Sequence, residues 1–595
     1  MLANQGLAGE ALRLLSRHLA ENASDADAAR VASDLHLKMG NQQAAIETLS
    51  LAHEAAPDDD DLTFRLARAL ALASRTQEAI DHLSALLERT PSALMPLRLH
   101  AELCFQTGQL QFALESFTRL CELKPRSPEG HLNRVRCLHT LLMPEEAIQA
   151  ARDGLDRCPN SIDLRLALAQ VLFDQGNDEL ALEVYDEILK GQEHAGALIG
   201  KGRCLQRIAD AGCPETVARR AIEVAPNNIE SYRLLASVQR ASGRPELSVE
   251  TLRAGLAAST DTGESRGHAC IELAQCLDKI DSFDDAYDMV EEAHRELAPA
   301  HIAEPYHWRA FVSQLLEWRE SPSAAQAARW GTQASKSNGR PAPAFLVGFP
   351  RSGTTLVEQM IGSLNGWTTS DEKPMLAQLE GTLARKVGVS VRDLRASLDR
   401  LTDSDIEWAR AWYYELCEFH LGPVAAEAKI LDKQPYNTPL LALIRRIFPE
   451  ARVLVALRDP RDVCLSVIMQ DVTPNRGMRH YPTIDAVAKV YDAMMGLYVI
   501  DRERLGLAIH EFRYEDIVTH TEPHLRSILE FLGEPWTEAV LEYTRRTADR
   551  RSRINTESVK QDVYTSAIAR WKNYQHRVGH VFPMLDPFRL AFDYA

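Results

Sequence analysis

Through the first half of the chain, apolar residues recur at three- and four-residue spacings in short stretches, the pattern of paired amphipathic helices. The stretches are punctuated on a fixed period. Pro57, Pro91, Pro125 and Pro159 stand 34 residues apart, and Pro226 follows 67 residues later, two periods less one. Ala11, Ala45, Ala79, Ala113, Ala147 and Ala181 keep the same period, as do Gly6, Gly40, Gly108 and Gly176, with Gly243 one residue short. Within a unit the order is Gly, then Ala five positions on, then Pro twelve further. The Gly is expected to turn the chain, the Ala to let two helices approach, and the Pro to stop the second helix. Between Pro159 and Pro226 the repeat is degenerate, with Glu193 where a fifth Pro would stand.

From residue 341 the pattern changes. The runs AFLVGFP (344–350), AKILDKQP (428–435), ARVLVALRDP (451–460) and LAIHEFRYEDI (507–517) are apolar without alternation. That is expected of strands covered on both faces of a mainly parallel sheet. Helical segments separate them, which predicts an α/β layered fold whose ligands bind at the carboxyl ends of the strands. Between the halves, residues 320–344 form a Ser, Ala, Gly and Pro mixture that reads as a connection.

The period and its Gly, Ala, Pro order resemble the tetratricopeptide repeat (TPR). The resemblance implies an α-helical superhelix over 1–262 and a looser TPR-like helical extension and linker over 263–340, to which the strand pattern adds a separate α/β domain over 341–595. The concave face of such an array suits extended peptide or protein segments. An array of this kind predicts binding, not chemistry.

Composition removes several functions. Lys and Arg number 67 against 84 Asp and Glu, a formal charge of −17, which disfavours nucleic acid as a partner. Hydrophobic residues at 45% and charged residues at 25% argue against wholesale disorder. The ten cysteines include no CxxC pair and no CxxH cluster, so reduced thiols are expected, with neither a disulfide framework nor a metal site. No run of about 18 apolar residues occurs, so no membrane span is expected. The opening residues, MLANQGLAGEALRLLSRHLA, lack the apolar core of a secretory leader, and a cytoplasmic location is expected.

Chemistry concentrates at the strand ends. The first predicted strand runs into Gly348-Phe349-Pro350-Arg351-Ser352-Gly353-Thr354-Thr355 and then a helix. A glycine-bearing turn between strand and helix aims backbone N–H groups and the helix dipole at an anion. Its G-x4-G spacing matches a nucleotide phosphate loop, but Thr354 replaces the Lys that would reach a β- or γ-phosphate. Without that Lys, or a clear acidic partner for Mg²⁺, a P-loop kinase is disfavoured, and a terminal phosphate or phosphosulfate suits the loop better. The run 451–460 carries Arg458, and Ser466 follows eight residues later. A forked cation and a hydroxyl donor at that spacing can face one phosphate. The same stretch also fits a plain Asp459–Arg461 surface pair beside a helix N-cap.

Together, FPRSGTTL and LRDPRDVCLS resemble the signatures of sulfotransferases that use 3′-phosphoadenosine 5′-phosphosulfate (PAPS), nearest to the tyrosylprotein sulfotransferase branch and its bacterial relatives. The resemblance covers most of 341–595. It implies that Pro350, Arg351, Ser352, Gly353, Thr354 and Thr355 hold the 5′-phosphosulfate, and that Arg458 and Ser466 hold the 3′-phosphate. It also implies that Glu372, in Ser370-Asp371-Glu372 and 21 residues after Arg351, is the general base, with Asp371 as the alternative. By the same resemblance Lys433 meets charge on the leaving oxygen, Tyr514 contacts the nucleotide, and Arg570 and Trp571, with Lys572, fold over the cofactor. Plainer roles stand beside these: a helix-terminal acid for Glu372, a solvated lysine for Lys433, packing for Tyr514.

The pattern departs in two places. Ala569-Arg570-Trp571 stands where the family has Ser-Lys-Trp, leaving Thr565 or Ser566 as substitute hydroxyls, and Pro374 stands where it has a basic residue near the acceptor. The donor half of the site therefore matches better than the acceptor half. The expected activity is PAPS-dependent sulfuryl transfer to a hydroxyl, on a peptide or protein presented by the repeats, tyrosine included. The alternatives are a glycan, lipid or small-molecule acceptor, or a binding scaffold with an inactive transferase domain.

Overall fold

In the first compact unit, Met1–Ala225, helices of 13 and 14 residues alternate. Ala26–Lys38 pairs with Gln42–Ala55, Asp60–Leu72 with Thr76–Arg89, Leu94–Gln106 with Leu110–Leu123, and Pro128–Thr140 with Pro144–Arg157. The computed structural model describes residues 8–22, 25–141, 143–208, 212–298, 308–330, 340–470, 481–541 and 567–594.

The periodic residues act as their chemistry suggests. Ala45, Ala79, Ala113, Ala147 and Ala181 are each 0% exposed, so a larger side chain there would push close-packed helices apart. Pro57, Pro91, Pro125 and Pro159 lie just beyond Ala55, Arg89, Leu123 and Arg157, the last residues of the second helices, and Glu193 follows Gly191 in the same way. Between the helices of a pair, the amides of Asn41, Arg75, Gln109 and Asn177 donate to the carbonyls of His36, Leu70, Cys104 and Leu172. That wrap needs a left-handed residue just before the donor. Gly40, Gly108 and Gly176 supply it at φ 77, 72 and 76°, and Ser74 adopts it at φ 60°.

This unit carries a groove of about 460 Å³ lined by residues that include His139, Gln170, Tyr185 and Arg203. Gly200 makes room for its floor, because a Cβ there would sit 2.1 Å from the Tyr185 ring.

The second unit, Pro226–Ala595, opens with helices Ile229–Ala241, Pro245–Ala258, Glu264–Lys279 and Phe283–Leu297. The stretch 320–344, expected as a connection, contains the helix Ala324–Trp330. Its alanines favour a helix, and Trp330 anchors it: the ring is buried and its N–H donates to Asp399 at 2.9 Å. Residues 331–339 of that stretch lie outside the described residues.

The sheet has five parallel strands: β1 (Ala344–Gly348), β2 (Trp367–Thr369), β3 (Lys429–Lys433), β4 (Arg452–Leu457) and β5 (Ala508–Arg513), in the order β2-β3-β1-β4-β5. Four of them fall within the apolar runs of the sequence. β2 was not anticipated, since three residues make no legible run.

Alternation separates two cores. Phe345 and Val347 share one with Leu252, Leu273 and Val290 of the preceding helices, while Ala344 and Leu346 share the other with Val357, Met360 and Phe512. β1 is central, and the chain reaches its two neighbours on opposite sides. The loop after β1 therefore opens at a topological switch point, where α/β sheets bind ligands. The described cysteines are free thiols, most of them buried. No described helix is long and apolar enough to cross a membrane.

Candidate active site

The loop after β1 is shaped by close approaches. Gly348 has φ 152°, and a Cβ there would lie 2.6 Å from the Ala456 carbonyl oxygen of β4. The Thr438 hydroxyl accepts from the Gly348 amide at 2.9 Å, and Ser352 donates to the Phe349 carbonyl at 2.7 Å. Pro350 is buried between them. Gly353, at φ 92°, precedes the helix Thr354–Gly362, and a Cβ on it would be 2.6 Å from the Tyr514 ring. No side chain caps that helix, which leaves its first-turn N–H groups for an anion.

Arginines converge on the same turn. Arg458, just past β4, donates to the Arg351 carbonyl at 3.0 Å and to the Ala567 carbonyl at 2.7 Å, and lies over the Tyr514 ring at 4.8 Å. Its Nε is buried with no hydrogen-bond partner among the described residues. Arg351 takes a left-handed φ of 72° and its Nε donates to the Ser466 hydroxyl at 3.3 Å. The fold thus brings Arg351, Arg458, Ser466 and Tyr514 together. The Asp459–Arg461 pair expected at the surface forms at 2.6 Å but is buried, and Asp459 also accepts from the Arg461 amide as the N-cap of the helix Pro460–Ile468.

The C-terminal segment is tied to this corner by Asp462, which accepts from the amides of Ala569 at 2.6 Å and Trp571 at 2.8 Å. Burial pushes the Asp462 carboxyl up to about 6. The Trp571 ring lies 3.9 Å from the Arg461 guanidinium carbon. Arg570 is engaged elsewhere, 2.8 Å from Asp278 of the helix Glu264–Lys279, and Lys572 is exposed. Thr565 and Ser566 lie outside the described residues.

The second cluster forms where β3 ends. Lys433 is 1% exposed, and its ammonium sits 2.8 Å from Glu372, 2.9 Å from Glu358 and 3.5 Å from the Thr355 hydroxyl. Burial pulls the Lys433 pKa down, but the two carboxylates more than reverse this and leave it above the ordinary lysine value. Burial pushes Glu358 up to about 7 against the pull of Lys433.

Glu372 is held in place by the β2–β3 edge. Ser370 donates to the Lys433 carbonyl at 3.0 Å and accepts from the Lys433 amide at 2.8 Å. The Glu372 amide donates to the Lys433 carbonyl at 3.2 Å, and the Gln434 amide group donates to the Glu372 carbonyl at 3.1 Å. Asp371 and Glu372 take left-handed φ values of 45 and 64°, strain on the order of 1–3 kcal/mol each that the surrounding bonds must over-determine. Asp371 itself is exposed.

Sequence reasoning missed Glu358, Ser370 and Thr438. Glu358 had a signal: it is a lone charge in the otherwise uncharged helix TTLVEQMIG, and it proves to be buried. Ser370 and Thr438 act through hydroxyls on distant backbone, which no local pattern announces.

Residues 343–538 match the sulfotransferase family, and residues 32–94, 64–128 and 144–197 match the tetratricopeptide repeat. The chain therefore carries tetratricopeptide repeats followed by a sulfotransferase-family domain. An uncharacterised protein of Aquifex aeolicus is 24% identical over 585 residues, covering 93% of this chain and 69% of that protein. Protein-tyrosine sulfotransferase 1 of Danio rerio is 26% identical over 266 residues, covering 42% of this chain and 72% of that protein. Among solved structures, a tetratricopeptide repeat protein from Parabacteroides merdae superposes at a TM-score of 0.33 and 17% identity, covering 44% of this chain and 90% of that one.

Proposed function

We propose that the second unit is a sulfotransferase that uses PAPS as donor and an acceptor hydroxyl on a peptide or protein, and that the repeat unit presents the acceptor. The observation that carries this reading is the contact of Lys433 with Glu372 at 2.8 Å beside a glycine-bearing loop that holds Arg351. The donor, when bound, supplies a sulfuryl group on a phosphate leaving group.

The residues present fit such a donor. The uncapped helix Thr354–Gly362, the Arg458 Nε with no partner among the described residues and the Arg351–Ser466 corner are all hydrogen-bond donors, two of them cationic. Glu372 is assigned to take the acceptor's proton, and Lys433 to set its charge against the leaving oxygen, so positioning and electrostatics do most of the catalysis. Tyr514, packed against Gly353, and Trp571 are assigned to wall the nucleotide.

A peptide acceptor is supported by the groove beside Tyr185 and by the name of the Danio rerio relative. No metal has an assigned role, and no group of His, Cys, Asp and Glu fit to hold one occurs among the described residues.

The test is transfer of labelled sulfate from PAPS into an extract of the source organism, with protein, lipid and glycan fractions counted separately. Glu372→Gln is expected to lower turnover by about 10² to 10⁴-fold while still binding nucleotide, and near-full turnover removes Glu372 from the role. Label in protein, lost in the variant, supports peptide presentation; label in lipid or glycan keeps the enzyme and reassigns the repeats. Arg458→Ala is expected to weaken binding of the 3′,5′-bisphosphate product by about 1.5 to 3 kcal/mol, measured by calorimetry. Unchanged binding would mean that the 3′-phosphate sits elsewhere.

A further inference from the structure

Glu358 takes no part in the chemistry assigned above, yet it lies within that site. It is 3% exposed, in a helix whose other residues are uncharged. A carboxylate in such a place is costly to bury unless it is paired and hydrogen-bonded. Both of its oxygens are used: one is 2.9 Å from the Lys433 ammonium, the other accepts from the Asp371 amide at 2.8 Å. The charged and titratable groups around it are Lys433 and Asp432 from β3, and Asp371 and Glu372 from the turn after β2.

The arrangement answers a difficulty in the chemistry. If Glu372 were the only counter-charge of Lys433, taking up a proton would leave a buried, uncompensated ammonium at the moment its charge is needed. A second carboxylate, which exchanges no proton with the acceptor, removes that penalty. The same carboxylate grips the left-handed turn that carries Glu372.

We infer that Glu358 is a positioning residue: one oxygen keeps the Lys433 ammonium charged and in place while Glu372 changes charge, and the other fixes the Asp371–Glu372 turn. The naming of Lys433 and Glu372 as catalytic rests on the sulfotransferase reading. The holding of the ammonium by Glu358 does not.

The test compares Glu358→Gln and Glu358→Asp with wild type, in the full chain. Lysine side chains are labelled with ¹³C at Cε and titrated by NMR, the Lys433 signal being identified by its loss in Lys433→Arg. In Glu358→Gln the Lys433 titration is expected to fall by about 1 to 3 pH units, because the largest contribution raising it has been removed. Turnover should drop about tenfold or more with the KM for donor within about threefold, and the alkaline limb of kcat should move to lower pH with the lysine.

Glu358→Asp keeps the charge and is expected to recover part of both shifts; should the Gln variant not fold, its lysine titration and alkaline limb decide alone, through a partial downward shift. Lys433 titrating as in wild type in every folded variant overturns the inference. A wild-type protein that transfers no sulfate overturns the functional reading instead, since the lysine titration needs no turnover.

Discussion

In the repeat unit alanines such as Ala45, Ala79 and Ala113 lie as deep as leucines such as Leu49 and Leu83, and the polar groups buried among them are mostly hydroxyls and imidazoles such as Ser33, Thr63, Ser116 and His100, with Asp178, 3.2 Å from Arg207, a buried carboxylate. In the second unit Lys433, Asp432, Arg395 and Asp501 are as inaccessible as the leucines around them. The first kind of core is built by neighbours in sequence, one helix pair on the next, so its stability is close to a sum of local contacts. The second kind joins segments far apart: Arg395 donates to Asp501, 106 residues away, at 2.6 and 2.9 Å. Buried charge is concentrated in the second unit, where the chain gave up easy packing for chemistry and for the scaffold behind it.

The largest expected effect tests that contrast directly. Arg395 also donates to the carbonyls of Ser321 and Pro439, at 2.7 and 3.1 Å, so its guanidinium is satisfied on every side. Arg395→Ala leaves Asp501 buried and unpaired and should destabilise the second unit by about 3 to 5 kcal/mol, read from the denaturant midpoint. In the repeat unit, Arg220 makes more ion-pair contacts, with Glu193 and Glu223, but at the surface. Arg220→Ala should leave the midpoint where it was. Equal effects would break the comparison.

The contrast also explains what the sequence disclosed. The repeats were legible because their contacts are local, so the spacing of Ala45, Ala79 and Ala113 is itself the packing. β1, β3, β4 and β5 announced themselves as apolar runs, and the loop Gly348–Thr355 by its position after one of them. β2 did not, because its three residues are held by pairing with β3 and not by their own pattern. Glu358 stood out as the one charge in its helix, but nothing in that local pattern pointed to its partner Lys433, 75 residues on. The helix Ala324–Trp330 was obscured by the Ser, Gly and Pro around its alanines, and only the burial of Trp330 gives it a place.

A second test uses pH, to which the two units should respond with opposite sign. Burial raises Glu358 to about 7, Asp432 to about 7 and Asp462 to about 6. A group whose folded pKa is raised contributes stability that is complete below its unfolded value and lost as pH rises through the folded one. The second unit should therefore lose stability between pH 5 and 7.5, on the order of a few kcal/mol, with the lowered His420 and His510 offsetting part. In the repeat unit burial lowers His53, His82 and His100, whose contribution is present above the unfolded histidine value and lost as pH falls. That unit should gain over the same window. Hydrogen exchange read region by region, after correction for intrinsic rates, checks both signs at once.

The smallest expected effect probes backbone strain in the two regions. Ser74 occupies, at φ 60°, the turn position that Gly40, Gly108 and Gly176 fill, and it is exposed. A left-handed conformation costs an L-residue roughly 1–2 kcal/mol, and the extra unfolded-state freedom of glycine offsets about half of that. Ser74→Gly should therefore stabilise the repeat unit by about 0.5–1 kcal/mol and leave activity alone. Asp371 has the same kind of strain, at φ 45°, and Asp371→Gly keeps the amide that donates to Glu358. Stability should hold or rise slightly there too. Turnover should nevertheless fall about tenfold, because a glycine turn no longer holds Glu372 against Lys433. If relief of strain at both positions proved equally harmless to turnover, the left-handed turn in the site would be no more than a loop, and its rigidity would have no bearing on catalysis.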